Sequence, residues 1–392
     1  MTQVNIPDVQ RGWLPVNNCN VMKRIILGCI LSCIIPSCLQ VNHNDGIMTE
    51  LSAPIDDFTV SSISDSVYSF VLQLPDPYFW GVVTDAYFKD SVIFVVDKLQ
   101  GNIFRFKKDG TFLNKIGQKG GGPNEFSHLT DCFVDNEMVY VGDINTRELY
   151  CYTHDGEYVK TISFSFELIY DDIVPLSDGR FLCHDIAGYK DGGKIWIMGA
   201  NGDMEKALLC HDAVYPFSST PWSTIGYTEK EGVFLILDPI SGTIYSYDSY
   251  ADRLDKICRL VSDFKGLNSF AGSDLLLAIE DEYGYPVFSV ASGDDVFSIW
   301  NTSESLALYS FTSILTGNSK AYTRMIMDMG GHTCVSLPIT TNLPNKIVMA
   351  FTDEFLRDCN FQYDNNNMTE NALLIQVFSL NFDTFKLADC IK

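Results

Sequence analysis

The sequence is poor in basic side chains and histidine, and it lacks the short signatures of most catalytic sites. Its 392 residues hold 27 Lys and Arg against 50 Asp and Glu, a net charge of −23. A phosphate backbone is repelled by such a surface, so nucleic acid is excluded as a partner. None of the 12 cysteines is spaced C-x-x-C, which leaves a zinc ribbon or a thioredoxin-type pair without a basis. There is no G-x-S-x-G elbow and no H-E-x-x-H. No apolar run reaches the ~20 residues needed to span a bilayer. No amphipathic helical stretch separates the strand-like runs, so a parallel βαβ fold is not expected. What is abundant is apolar and aromatic: 46% of the chain is hydrophobic, with 26 Phe and 19 Tyr. Together with turn residues throughout, this predicts many short strands around a large core.

The chain repeats. SVIFVVDKLQGNIFRFKKDGTFLNKIG from Ser91 aligns with NEMVYVGDINTRELYCYTHDGEYVKTI from Asn136. In each, an alternating strand ends in Asp (Asp97, Asp143), a second strand follows, and Asp-Gly turns the chain at Asp109-Gly110 and Asp155-Gly156. Asn201-Gly202 continues the same spacing, and Asp185 and Asp238 mark the third and fourth copies. Looser fifth and sixth copies run through DDVFSIWNTSESLALYSF and from KIVMAFTDEF to LLIQVFSL. Asp-Gly and Asn-Gly predict two-residue hairpins with positive φ at both central positions. Six units of four short strands over residues 60–392 predict an all-β, six-bladed β-propeller of antiparallel blades. An open ring would expose a strand edge. The alternating segment Ser66–Leu74 is therefore expected to complete the sixth blade as an N-terminal closing strand.

IGQKGGGPNEF, Ile116 to Phe126, follows the fourth strand of blade one and precedes the first strand of blade two, Leu129–Val134. A phosphate loop would need Gly-Lys-Ser/Thr or a helix starting at once. Neither is present, so the glycines are read as a corner that returns the chain from rim to axis. GQKGGGPNEF resembles the G-x-G-x-G-P-G-E-F/Y signature of six-bladed β-propeller lipoproteins from Bacteroides-type bacteria, which are similar to NHL-repeat propellers. Asn124 stands where that signature often has a third Gly. The resemblance covers nearly all of the exported part and implies fold and location, not an activity.

Location is also written at the amino end. From Met22, MKRIILGCILSCIIPSC gives two basic residues, a short apolar stretch from Ile25 to Ile35, and Cys38 after Ile35-Pro36-Ser37. This is the pattern of a secretory signal, and its end resembles a lipobox with Cys38 as the lipidation site; Cys33 is the competing position. The expected organisation is an upstream extension 1–21 ahead of the true start at Met22, a signal peptide 22–37, a tether 38–59, and the propeller. The expected product is an exported lipoprotein, held by its lipid at the outer membrane on the periplasmic side or at the cell surface, and monomeric. The cysteines that follow lie mostly in strand-like runs and are expected to be reduced and buried.

Candidate sites come from position within the repeat. Thr84-Asp85 and Thr130-Asp131 occupy the predicted innermost strands, and Asp171-Asp172 takes a similar place in blade three. Carboxylates facing the axis offer oxygens to Ca²⁺ or another hard cation, as in propeller hydrolases and lactonases of the same architecture. Equally, each Asp can tie down backbone amides at a strand entrance. Trp80, Trp222 and Trp300 are candidates for stacking on sugars or peptides, or for the core. The histidines, His154 in a turn and His184 at a strand end among them, form no sequence-local catalytic group. The leading expectation is a non-enzymatic binding or scaffold module for a protein or carbohydrate ligand, without a cofactor unless Ca²⁺ sits at the axis. The alternative is a metal-dependent hydrolase or lyase working in the axial funnel.

Overall fold

Many strands, Val92–Asp97, Asp131–Val134 and Gly193–Met198 among them, are buried on both faces and pack face to face against neighbouring sheets, which is the pattern that arranges them radially. The computed structural model describes residues 47–50, 57–164, 170–186, 193–211, 223–262, 284–302, 308–326, 328, 337–358 and 371–381. Within them the chain is an all-β, six-bladed propeller. Blade one is Val83–Lys89, Val92–Asp97, Asn102–Lys107 and Phe112–Lys115. Blade two is Asp131–Val134, Met138–Asp143, Glu148–Thr153 and Tyr158–Ser163. Blade three runs from Asp172–Pro175 to Met204–Cys210, blade four from Ile225–Tyr227 to Arg253–Val261, and blade five from Gly284–Ser292 to Ser319–Tyr322. Among the described residues the one α-helix is the six-residue Asp353–Asp358.

Blade six is assembled from both ends of the sequence. Lys346–Thr352 pairs with Ala372–Leu380, which pairs antiparallel with Ser64–Gln73, in register from Ala372 opposite Gln73 to Ser379 opposite Ser66. The expected closing strand is therefore in place at the rim. The ring also closes near the axis: Ile339 bridges Val348, and Thr340 and Thr341 pair in parallel with Asp85 and Ala86 of blade one. Part of the expected tether is strand too. Ile47–Glu50 adds in parallel to the outer strand of blade four, and Phe58–Thr59 adds to Met325–Ile326. The N-terminal segment thus touches blades four and five before it enters blade six. Phe58 is buried among Tyr309, Phe311 and Tyr322, and Arg324 holds Asp57 through two bonds of 2.8 and 2.7 Å.

The core lies between blades. Val174, Leu182, Ile195 and Ile197 of blade three meet Ile225, Ile236 and Tyr247 of blade four. Leu72, Leu373 and Ile375 of blade six meet Ala86, Ile93 and Phe104 of blade one. Each such side chain contributes ~1.5–3 kcal/mol on leaving water, so no blade is stable without its neighbours. Cys132, Cys151, Cys183 and Cys258 are free and buried in these cores, and Cys210 is disulfide-bonded.

The Asp residues at strand ends fasten one blade's entry to its own second turn. Asp97 accepts bonds from the amides of Gly81, Val82 and Gln100 at 2.6, 3.2 and 3.1 Å. Asp143 repeats this with Ser127, His128 and Asn145 at 2.6, 3.1 and 3.0 Å. The hairpin expectation is corrected. The Lys107 amide bonds the Thr111 carbonyl while the Gly110 amide bonds the Lys107 carbonyl, so the loop has three residues, and the same pairs recur around Gly156 and Gly202. Positive φ is needed at the glycine alone: 88° at Gly110, 89° at Gly156 and 86° at Gly202. The third position of a type I turn with a bulge demands it, whereas Asp and Asn sit in ordinary backbone. At Gly110 the preceding blade imposes a second demand, since a Cβ would lie 2.1 Å from the Val71 carbonyl oxygen.

The glycine-rich loop is a corner. The Gly120 amide bonds the Phe126 carbonyl at 2.9 Å, the Phe126 amide bonds the Gln118 carbonyl at 3.2 Å, and Phe126 is fully buried. Glu125 turns back to accept the Gly122 amide at 2.8 Å, which fills the space where an anion would sit. Asn124 has φ 64°, a conformation that Asn tolerates in place of glycine.

Candidate functional site

Two places on the propeller gather polar chemistry, one at each end of the inner strands. At the end where those strands begin, Asp85, Asp131 and Asp172 are 1%, 7% and 4% exposed. Each is at or near the first residue of its strand because the blades are repeats, and Asp131 and Asp172 each accept the next amide, from Cys132 at 2.8 Å and Ile173 at 2.9 Å. Lys98, just after Asp97 in blade one's second turn, brings its ammonium to 3.6 Å from Asp85 and 3.4 Å from Asp131. Sequence reasoning missed Lys98; the signal available was its place next to a strand-end Asp, which points it toward the axis.

Three buried carboxylates thus face one ammonium. Burial lowers the Lys98 pKa, but Asp85, Asp131 and Asp172 together outweigh it and hold the ammonium well above the usual lysine range. Burial pushes Asp131 up to about 8, with repulsion from Asp172 and Asp85 adding to it against the pull of Lys98. Asp172 is raised to about 6, again by burial, although bonds from Ser223 and Ile225 oppose the shift. The charge imbalance explains both directions: the group is most stable when one carboxyl keeps a proton. Asp131 Oδ2 is enclosed without a hydrogen-bond partner. A hard cation here would have to share the site with the Lys98 ammonium, and among the described residues no group of three or more His, Cys, Asp or Glu is arranged to hold a metal.

Asp171 does not join this group. Its carboxylate accepts the Ile186 amide at 2.6 Å, the place that Thr130 Oγ1 takes with the Ile144 amide in blade two, and burial raises its pKa to about 6. Asp172 instead accepts the Ile225 amide at 2.7 Å and the Ser223 hydroxyl, while the Ser223 amide donates to Thr340 Oγ1 at 3.1 Å. Blades three, four and six are thereby tied together near the axis. His184 Nδ1 lies 2.6 Å from Thr224 Oγ1, and burial holds its pKa near 4, so the ring is neutral. His184 and Thr224 are 0% and 3% exposed, so the pair braces the seam and meets no substrate. Beside it, Lys194 and Asp238 form a buried ion pair of 2.6 Å across the same seam.

The tryptophans divide differently. Trp300 is 1% exposed, with its indole N–H on Ser310 Oγ at 2.9 Å, so its ring is core and not a stacking surface. Trp80 is half-buried, packed on Phe104 and Phe106, and donates to the Asn371 carbonyl at 2.9 Å, which fixes it between blades one and six. Trp222 and Cys38 lie outside the described residues.

At the opposite end, where the inner strands finish, lies a cavity of about 580 Å³. Its walls are the loops between the first and second strands of blades two, three and four, 134–138, 175–181 and 227–233, with Lys89, Lys160 and Tyr250 completing the rim. Asp135 shapes the first loop: its carboxylate accepts the amides of Glu137 and Met138 at 2.7 Å each and the Tyr140 hydroxyl at 2.8 Å. Lys89 donates to the Asn136 side-chain oxygen at 3.0 Å, and partial burial lowers its pKa against the pull of Asp135 and Asp90. Tyr227 reaches from the cavity toward the axis, where burial and then Asp172, Asp135 and Asp131 raise its phenol above the usual range. Nothing local in the sequence marks this cavity, because its walls come from three loops, 134–138, 175–181 and 227–233, that lie far apart along the chain.

The fold and these two ends define a β-propeller of six blades. The chain belongs to the DUF4934 family, a domain of unknown function, whose profile matches residues 49–371. No curated protein matches it in sequence. Among solved structures it is similar to a Bacteroides fragilis protein named as exported by inference, with 16% identity over 84% of this chain and 98% of that one, at a TM-score of 0.64. It is also similar to a DUF4221 family member from Bacteroides vulgatus, at 9% identity, 81% and 98% coverage and a TM-score of 0.50. Virginiamycin B lyase from Staphylococcus aureus aligns with 80% of this chain and 100% of its own length, at 9% identity and a TM-score of 0.43. Such identities speak to fold alone.

Proposed function

We propose that this protein is an exported, lipid-anchored binding module that recognises a protein or carbohydrate ligand at the cavity lined by blades two, three and four. The observation that carries the reading is that cavity: about 580 Å³, open, and walled by loops on a rigid scaffold. The net charge of −23 suits a soluble exterior, and the segment from Met22 to Cys38 supplies the features of a lipoprotein signal. The name of the Bacteroides fragilis protein points to the same compartment. Glycan-array and pull-down screening with purified protein tests the binding reading. A ligand lost on substituting the exposed Tyr250 supports it, and a ligand indifferent to every cavity substitution defeats it. Mass spectrometry of membrane fractions tests the anchor, with a diacylated N-terminal Cys38 expected.

A second reading, an enzyme at the axis, draws on one observation. Asp85, Asp131 and Asp172 gather around Lys98 at the axis, where burial raises Asp131 to about 8 and favours the protonated form that a general acid needs. Its enclosure and its contact with Lys98 favour the structural role over this one. A hydrolase or lyase activity abolished in Asp131→Asn, with folding intact, would reverse that preference.

A further inference from the structure

We infer that the cavity takes a saccharide bearing carboxylate groups, a uronic-acid oligosaccharide, with its carboxylates on Lys89 and Lys160 and a sugar face on Tyr250. This rests on the binding reading above and names its ligand class.

Charge is the first argument. The cavity lining holds Lys89, Lys160 and Lys230 against Asp135, Glu137 and Glu231, whereas the whole chain has 27 basic residues to 50 acidic. Of these acids Asp135 already accepts two amides and a phenol, whereas Glu137 and Glu231 are exposed. Lys230 is paired with Asp248 at 2.7 Å. Lys89 and Lys160 have no carboxylate within ion-pair distance among the described residues, and the half-buried Lys89 hydrogen-bonds the Asn136 amide oxygen, with Asp135 and Asp90 further off. A partly desolvated ammonium facing an open cavity recovers lost solvation when a carboxylate arrives.

Shape and surface are the second. Of the aliphatic lining, Val134, Ile162 and Leu176 are 1%, 5% and 5% exposed, while Met138, Pro175 and Val233 are half-buried. The most exposed lining groups are the ring of Tyr250, at 63% exposure, and the polar side chains of Asn136, Glu137, Ser177 and Glu231, with Tyr227 and Thr228 half-buried beside them. A flat ring surrounded by hydroxyl and amide groups matches a sugar, which has one apolar face and an equator of hydroxyls. An acidic peptide carries carboxylates but no sugar face for the Tyr250 ring.

The test is calorimetric titration of the full-length protein with hexagalacturonic acid, with its methyl ester, and with hexaglutamate. We expect the acid to bind, the ester to bind at least tenfold more weakly, and hexaglutamate not to bind. Lys89→Met/Lys160→Met is expected to remove the preference for acid over ester while leaving the melting temperature unchanged, and Tyr250→Ala to weaken both sugars. The acid's affinity should fall with rising salt. Equal binding of acid and ester, an unaltered preference in the lysine variant, or tighter binding of hexaglutamate would each overturn the inference. A neutral ligand that still depends on Tyr250 would overturn it while leaving the binding reading intact. Should the lysine variant misfold, Lys160→Met alone, at an exposed position, carries the same comparison.

Discussion

The two ends of the inner strands hold similar numbers of charges and use them in opposite ways. At the strand entrances three carboxylates and Lys98 are buried and engaged with one another, with Thr340 and Ser223 stitching the blades around them. At the strand exits, Lys89, Lys160 and Tyr250 stand around an open cavity with their bonding capacity largely unspent. Burial among mutual partners marks a structural centre, and exposure around an open cavity marks a surface available for recognition. Residue type does not make this distinction: Asp85 and Glu137 are both carboxylates, and only their surroundings assign them different work.

Breaking the structural end should cost far more stability than altering the open end. The largest effect belongs to ring closure. A chain lacking the residues before Val83 loses Ser64–Gln73, bares the edge of Ala372–Leu380, and is expected to show no cooperative unfolding transition in urea. Next comes Lys98→Met, which leaves the buried Asp85 carboxylate without its ammonium partner. A loss of about 3 kcal/mol is expected at neutral pH, partly restored by adding Asp85→Asn, as read by denaturant midpoints. Gly110→Ala should cost about 1–3 kcal/mol through its φ of 88° and the Val71 carbonyl.

The pH dependence sharpens the same contrast. The Asp131 pKa lies above its ordinary 3.8, so the folded chain holds that proton more tightly than the unfolded one. Its contribution to stability is complete below 3.8 and is lost as pH rises towards about 8. His184, held near 4 by burial, acts oppositely, losing stability as pH falls from 6.5. Between 6.5 and 8 the Asp131 slope therefore stands apart from that of His184, and Asp131→Asn should flatten it in melts across that interval. The smallest effect on stability is expected for Tyr250→Ala, within about 0.5 kcal/mol, even though ligand affinity falls.

Much of the fold was legible because a propeller writes one local pattern repeatedly. The Asp at each second strand's end and the Asp-Gly turns recur with the blade, and the alternation of Ser66–Leu74 marks a strand without a sequential partner. The hairpin type was not legible, since Asp-Gly serves both two-residue and bulged three-residue turns and the flanking register decides between them. The parallel additions of Ile47–Glu50 and Phe58–Thr59 escaped for a related reason: their partners, Cys258–Val261 and Met325–Ile326, are more than 200 residues away. At the axis, the equivalence of Asp85 and Asp131 was readable, but Lys98 was hidden in a turn and Asp171 looked like a member of the group. Only folding shows that Asp171 reaches the Ile186 amide while its neighbour reaches the axis. The cavity was beyond sequence reading altogether, as it exists only where three blades meet.

The central claim is that recognition belongs to the strand exits and architecture to the entrances. Hydrogen–deuterium exchange of the full chain with and without hexagalacturonic acid tests it most directly. The account predicts ligand-dependent protection at 134–140, 175–179 and 227–233, with exchange at 81–85, 97–101 and 127–131 unchanged. Protection confined to the second set would place binding at the axial carboxylates and contradict it.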